Sequence, residues 1–306
     1  MNKKPVLLVT GASGFTGQYL LQEAKKQNFF CVSLTQHKPT QSHEICSDQT
    51  IALNLLDAKS VNDAVRRIAP EYVVHLAAVA FVGYDNVADF YQTNLVGTTN
   101  LLDAVFNHAP SVKKILIASS ANVYGNVVDM PINEQTSPAP VNHYGMSKLC
   151  MEMAASLYAN LPITVVRPFN YTGPGQVDDF LVPKIVRAFA TQQSVIELGN
   201  VDVSRDFSDV RDVVDAYLKI LQLPCPAPLF NICSGTAVAL KQIIDILSEL
   251  AGYEINMKIN PEFVRSDEIK ILYGSPALLE ASIGQYRKYT LEETLTSMYA
   301  DQLRGR

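Results

Sequence analysis

Along the first half of the chain, short runs of aliphatic and β-branched residues alternate with segments of helical period. Residues 6–10 read as a strand, 16–27 as a helix and 29–34 as a second strand. A helix over 58–69 with Asp57 as its N-cap, a strand over 72–76, a helix over 89–108 and a strand over 114–118 follow. A helix from about 142 to 160 and a strand over 163–166 complete the series. Strands without polar alternation belong in a sheet covered on both faces, and alternation with helices makes that sheet parallel. The pattern predicts an α/β fold of Rossmann type, a doubly wound parallel sheet.

After Arg167 the texture changes, and the segment PFNYTGPGQVDD reads as a long functional loop. Strand and helix pieces beyond it are shorter, apart from a core strand over 229–233 and surface helices over 241–250 and 291–303. The strand at 229–233 is expected to return to the first sheet. Residues 1–167 plus about 206–235 are therefore assigned to a Rossmann domain, and 168–205 plus 236–306 to a smaller, interleaved domain. A length of 306 residues is about twice the usual domain quota of roughly 150. No fixed-period repeat or low-complexity tract is present.

Composition narrows the function. With 25 Lys+Arg and 30 Asp+Glu the net charge is −5, and no long basic tract suits a nucleic acid or an anionic membrane surface. Five scattered cysteines without a CxxC pair read as reduced thiols. The apolar run at the start is too short for a signal peptide, and no stretch has the roughly 20 apolar residues of a membrane helix. A cytoplasmic protein is expected.

The first strand ends in TGASGFTG, with Gly11, Gly14 and Gly17 spaced by three. Such a turn lets the backbone approach a pyrophosphate, which the following helix N-terminus then meets. Its position, opening the first helix of the first βαβ unit, is the context the motif needs. At the end of the second strand, Thr35, Gln36, His37 and Lys38 stand where an Asp or Glu would bond the 2′-hydroxyl of NAD. A basic Lys38 without a carboxylate favours NADP(H), with NAD(H) the alternative.

The segments SSANVYG and YGMSK carry the chemistry. Tyr144 and Lys148, four apart, share one helix face. A phenol with a pKa of about 10 is a poor proton shuttle at neutral pH, and a neighbouring ammonium stabilises its phenolate. Ser120, at the end of the fifth strand, can bond the same substrate oxygen.

With these segments in this order, the chain resembles the extended short-chain dehydrogenase/reductases acting on nucleotide sugars. Matching pieces are TGASGFTG, HLAA, TNLVGT, SSANVYG, YGMSK, RPFNYTGPG, RDFSDVRDV and FNICSG. The resemblance makes Ser120, Tyr144 and Lys148 the catalytic triad, with Tyr144 and Lys148 also meeting the cofactor. It places Gly11, Gly14, Phe15, Thr16 and Gly17 at the cofactor turn, and Asn54 and Leu55 at the adenine. Leu76, Ala77 and Ala78 would line the cofactor channel, and Asn170 would lie near nicotinamide and sugar. A homodimer is implied, formed through the helices at 89–108 and Tyr144.

Dehydratases of this kind place a glutamate where this chain has Asn122. An amide cannot take up a carbon-bound proton, so 4,6-dehydration is rejected. The stretch LGNVDVSRDFSDVRDV resembles GDP-mannose dehydratases and GDP-4-keto-6-deoxymannose reductases. By that resemblance Arg205 grips the diphosphate through its planar fork, with Asn200 nearby. Arg265 and Glu268 of RSDE meet the diphosphate and ribose, and Lys184 is a further phosphate candidate.

The implied activity is NAD(P)H-dependent reduction of a GDP-4-keto-6-deoxyhexose to GDP-rhamnose or GDP-6-deoxytalose. The alternatives are a nucleotide-sugar epimerase with tightly bound NAD, and a non-catalytic dinucleotide-binding regulator. The ligands' diphosphates would be met locally, by the glycine-turn helix end, Lys38, Arg205 and Arg265. His75 reads first as a packed core histidine, Asn94 as either a backbone-bonding residue or helix surface, and Arg167 as a structural residue fixing the substrate loop.

Overall fold

The computed structural model of the protein describes residues 3–37, 45–81, 86–224, 228–264 and 269–305. Two compact units divide the chain: Met1–Tyr124, Pro138–Arg167 and Val214–Phe230 form the first, and Gly125–Ser137, Pro168–Val213 and Asn231–Arg306 the second.

The first unit begins with β1 (Val6–Thr10), α1 (Phe15–Lys26), β2 (Phe30–Thr35) and β3 (Gln49–Ala52). Next come α2 (Ala58–Ile68), whose first turn is capped by the Asp57 side chain accepting from the Ser60 amide, and β4 (Tyr72–His75). The helix expected over 89–108 is three pieces: α3 (Val87–Tyr91), a π-helical turn (Gln92–Val96) and α4 (Gly97–His108). Then follow β5 (Lys114–Ala118), α5 (His143–Ser156) and β6 (Ile163–Pro168).

In the second unit the chain forms β7 (Asn170–Thr172), α6 (Leu181–Ala190), β8 (Val195–Leu198) and β9 (Ser204–Asp209). Through most of α7 (Val210–Gln222) and the start of β10 (Leu229–Ile232) the chain returns to the first unit. The remaining elements are β11 (Ala237–Ala239), α8 (Leu240–Ala251), β12 (Asn256–Ile259), β13 (Ile271–Leu272), α9 (Ala277–Ile283) and α10 (Leu291–Arg304).

Seven strands form one sheet in the order β10-β6-β5-β4-β1-β2-β3. The pairings from β6 across to β3 are parallel. Strand order reverses between β1 and β4, and in such sheets ligands bind beyond the carboxyl ends of the strands at that switch. Leu7, Leu8, Val73, Val74, Ile115 and Leu116 in the central strands are fully buried, as two-sided cover requires. The short edge strand β3 is half-exposed along its length, which is why no apolar run announces it.

The second unit packs α6, α8 and α10 around Ile185, Phe189, Ile243, Leu247, Leu295 and Met298. Its β9 pairs with β7, β11 and β13. Those pairings tie residues 204–209 to the second unit, so the first resumes at Val214 and not near 206.

The carboxylates of RDFSDVRD, three apart, each fasten a different segment of this unit. Asp206 is fully buried and accepts from the backbone amides of Ser234, Gly235 and Gly274. Asp209 accepts from Thr294 Oγ1 and from the Arg211 side chain. Asp212 accepts from the amides of Lys288 and Tyr289.

Candidate active site

At the switch point, Gly11 has a φ of +66°, and a Cβ there would lie 2.7 Å from the Ala77 nitrogen. The turn thus runs against the segment leaving β4, and the Ala77 amide donates to Thr10 Oγ1 at 3.2 Å. A Cβ on Gly17 would meet the Gly11 carbonyl at 2.5 Å, so this glycine sets how closely α1 packs on the turn. Gly14 is exposed and is the N-cap of α1, where no side chain caps the helix. The first turn of α1 contains no acidic residue, so nothing there opposes an anion at the positive helix end. These features fit a dinucleotide pyrophosphate, with Phe15, Thr16 and Gly17 supplying the first turn.

Leu76, Ala77 and Ala78 are half-buried in the segment that leaves β4. Asn54 is exposed, and its Oδ1 accepts from the Leu56 amide at 3.0 Å. Leu55 packs on the core of the first unit, and its carbonyl accepts from Asn100 Nδ2. Lys38, the residue expected to distinguish NADP(H), lies outside the described residues.

Beyond β5, Ser120 caps a 3₁₀ turn (Ala121–Val123) by accepting from the Asn122 amide. Asn142 caps α5 by accepting from the Gly145 amide at 2.8 Å. That helix presents Tyr144, Ser147, Lys148 and Met151 to the interior. The Tyr144 ring lies 6.1 Å from that of Phe90, centroid to centroid. Lys148 Nζ donates to the Ala118 carbonyl at 2.8 Å. Burial lowers its pKa to about 8, partly offset by the Glu152 carboxylate one turn on.

Glu152 itself receives two bonds from Arg167, at 3.0 and 2.6 Å, and the guanidinium covers the Tyr124 ring at 4.7 Å. Arg167 therefore joins β6 to α5 through its side chain, in place of the substrate loop that sequence suggested.

His75 and Asn94 also receive definite roles. Thr98 Oγ1 donates to the Asn94 carbonyl at 2.6 Å and so accepts from His75 Nε2 at 2.8 Å. His75 Nδ1 then accepts from Thr10 Oγ1 at 2.6 Å. Burial first, and the Lys148 charge second, push the histidine pKa down to about 3; it is a neutral core residue. Asn94, in the π-helical turn, accepts from the Val79 amide and donates to the Val79 carbonyl and to Ser147 Oγ. Ser147 in turn donates to the Tyr144 carbonyl. One hydrogen-bonded chain thus runs from the glycine turn to the helix of Tyr144 and Lys148. Sequence did not reveal Thr98 and Ser147 as its links, because short hydroxyl residues inside helices carry no distinctive spacing.

In the second unit, Asn170 is half-buried on β7 and Asn200 half-buried in the segment joining β8 to β9. Arg205, on β9, donates through Nη1 to the carbonyls of Ser204 and Lys270. Lys184 donates to the Glu197 carbonyl at 2.9 Å and lies 4.5 Å from the Phe263 ring centroid. Arg265 and Glu268 lie outside the described residues. Among the described residues no helix is long and apolar enough to cross a membrane, and no cluster of three or more His, Cys, Asp or Glu is placed to hold a metal.

A doubly wound sheet with a glycine turn at its switch point and a serine, tyrosine and lysine beyond the next strands defines a dinucleotide-dependent enzyme. The chain belongs to the NAD dependent epimerase/dehydratase family, which it matches over residues 7–233; its fold is that of the extended short-chain dehydrogenase/reductases.

It is 36% identical over 302 residues to GDP-6-deoxy-D-talose 4-dehydrogenase of Aggregatibacter actinomycetemcomitans, covering 97% of this chain and 98% of that protein. It is 33% identical over 307 residues to GDP-6-deoxy-D-mannose reductase of Pseudomonas aeruginosa, covering 96% of each. The structure of RMD from Pseudomonas aeruginosa complexed with NADPH superposes with a TM-score of 0.85 at 31% identity, covering 99% of this chain and all of that one.

Proposed function

We propose that the protein is an NAD(P)H-dependent nucleotide-sugar 4-ketoreductase, converting a GDP-4-keto-6-deoxyhexose to GDP-rhamnose or GDP-6-deoxytalose. The observation that carries this reading is the buried Lys148 amine one turn along α5 from Tyr144, combined with an amide, Asn122, where a dehydratase needs a carboxylate. Support for the substrate class comes from two relatives named for GDP-6-deoxyhexoses.

Bound NAD(P)H supplies the hydride for carbon 4. Ser120 holds the carbonyl oxygen by donating its hydroxyl proton, and Tyr144 Oη gives that oxygen the proton that completes the alcohol. Lys148, charged when its amine is protonated, stabilises the phenolate left on Tyr144 and meets the nicotinamide ribose. Gly11, Gly14 and Gly17 leave room for the pyrophosphate at the α1 N-terminus. Asn170, Lys184, Asn200, Arg205, Arg265 and Glu268 are assigned to the sugar nucleotide, with the arginines suited to its diphosphate.

Incubation with GDP-4-keto-6-deoxymannose and NADPH tests the reading. Loss of reduced-nicotinamide absorbance with formation of a GDP-6-deoxyhexose is expected, and the carbon-4 configuration identifies the product. Protein that retains bound NAD and interconverts sugars without net oxidation is an epimerase instead. Dinucleotide binding with no turnover of any nucleotide sugar marks a regulator.

A further inference from the structure

We propose that Asn122 is a positioning residue that fixes the direction of the Ser120 hydroxyl, making this serine solely a hydrogen-bond donor toward the substrate oxygen. The inference rests on the reading of Ser120 as the group that holds that oxygen. Its basis is a series of fixed side-chain orientations that runs back from the cap of α5.

The Gly145 backbone amide can only donate, so the side-chain atom of Asn142 that meets it at 2.8 Å is the oxygen. The Asn142 amide nitrogen is thereby turned toward Asn122, which meets it with Oδ1 at 3.4 Å. Oδ1 being on that side, Asn122 presents Nδ2 to Ser120 Oγ at 3.2 Å. The backbone amide of Asn122 donates to the same Oγ at 3.1 Å. A hydroxyl oxygen has two acceptor positions and one proton. Asn122 fills both acceptor positions, which leaves the proton for the ligand.

A donor is what a ketone oxygen, or the alkoxide developing from it, requires. A serine oxygen that only accepts would suit a substrate hydroxyl, and not a carbonyl oxygen, which has no proton to donate. The backbone places Asn122 firmly: a Cβ on Gly145 would sit 2.6 Å from the Asn122 carbonyl oxygen, so the glycine after Tyr144 lets α5 close directly onto this residue. A carboxylate here, as a dehydratase requires, would accept the Ser120 proton and reverse the serine's direction.

Asn122→Asp tests this against Asn122→Ala and against both substitutions in a Ser120→Ala background, with folding checked by NADPH binding. Protonated, the new carboxyl group can donate to Ser120 as the amide does; ionised, it draws the serine proton away from the substrate. The ratio of Asn122→Asp to wild-type kcat is therefore expected to fall about ten-fold or more as pH rises through the pKa of the introduced carboxyl, a fraction of the roughly 10²–10³-fold that one lost oxyanion donor costs. KM should change little. Asn122→Ala should give a ratio independent of pH, and in the Ser120→Ala background the pH dependence should vanish. A ratio independent of pH in Asn122→Asp, or one unchanged by removing Ser120, overturns the proposal.

A second readout needs no turnover. Carbon-13 NMR titration of the introduced carboxyl should give a lower pKa with Ser120 present than in the Ser120→Ala background, by about one unit, because a hydrogen bond to the charged form favours it. Equal values overturn the proposal. Absence of ketone reduction by the wild-type protein would instead remove the functional reading, leaving the titration to decide whether Asn122 directs Ser120.

Discussion

Lys148 Nζ donates to the Ala118 carbonyl at 2.8 Å, so the last residue of a central strand anchors the amine that lies one turn beyond Tyr144 on α5. The bond holds an amine whose pKa burial has lowered to about 8, while Glu152 pulls in the opposite direction. Below that value the amine is charged and favours the tyrosinate; above it the help is lost. The kcat/KM for ketone reduction is therefore expected to fall as pH rises through about 8. Glu152→Gln removes the opposing charge and should move that fall to lower pH. An unmoved basic limb in this variant would detach Glu152 from the titration of Lys148.

The phenol of Tyr144 is the proton donor in this scheme, and its helix is held by caps and hydrogen bonds that do not involve the hydroxyl. Tyr144→Phe should bind NADPH as the wild type does and lose about 10²–10⁴-fold in turnover, the usual contribution of positioned proton transfer. Near-normal single-turnover reduction by the variant would assign the proton to another group.

The doubly wound sheet and the order of its motifs were legible because strands buried on both faces leave uninterrupted apolar runs, and because glycines at a switch point follow one spacing. What stayed hidden depended on tertiary partners. RDFSDVRD points in sequence to its arginine, whereas Asp206, Asp209 and Asp212 accept bonds from segments as distant in sequence as Thr294. No local pattern marks a carboxylate whose partners are backbone amides far along the chain. Arg167 reads as structural from sequence, but its partner does not, since Glu152 lies on an exposed-looking turn of sequence until β6 is placed beside it. Asn142 was visible only as the start of a helix; its link to Asn122 appears when the 3₁₀ turn comes against the cap.

His75 links stability to pH. Its pKa is lowered from 6.5 to about 3 by burial and by Lys148, so the unfolded chain binds a proton between those values that the folded chain refuses. Stability should then fall as pH drops through that window, with a slope of up to about 1.4 kcal/mol per pH unit from this group. Denaturant melts of wild type and His75→Asn at several pH values measure it. The variant should be less stable at pH 7 yet show a shallower decline toward pH 4, and parallel declines would remove His75 from the linkage.

Cofactor choice is expected to be set at the end of β2, where Thr35 Oγ1 donates to the His37 carbonyl at 2.8 Å and no acidic residue stands among residues 35–38. Lys38→Glu should lower the ratio of NADPH to NADH in kcat/KM by about ten-fold or more, since a carboxylate repels the 2′-phosphate and bonds the free hydroxyl. Steady-state rates with each cofactor give the ratio directly, and an unchanged value would separate Lys38 from the choice.

The helix α5 is apolar on two faces. One face buries Tyr144, Lys148, Met151 and Ala155; another carries Met146, Cys150 and Met153, spaced as i, i+4 and i+7, with Leu157 continuing the line just past its end. Met153 is 64% exposed and Leu157 83% exposed, while Phe106 on α4 is 53% exposed. A stripe at this spacing is the seam by which helices pack, and large exposed apolar side chains in one line are costly to leave in water. We propose that this stripe is where two copies of the chain would pair. Phe106→Glu together with Met153→Glu should convert a dimer to a monomer in sedimentation equilibrium while leaving NADPH binding intact, because neither side chain belongs to the cofactor turn. A wild-type protein that sediments as a monomer at micromolar concentration would show that this stripe does not pair copies of the chain.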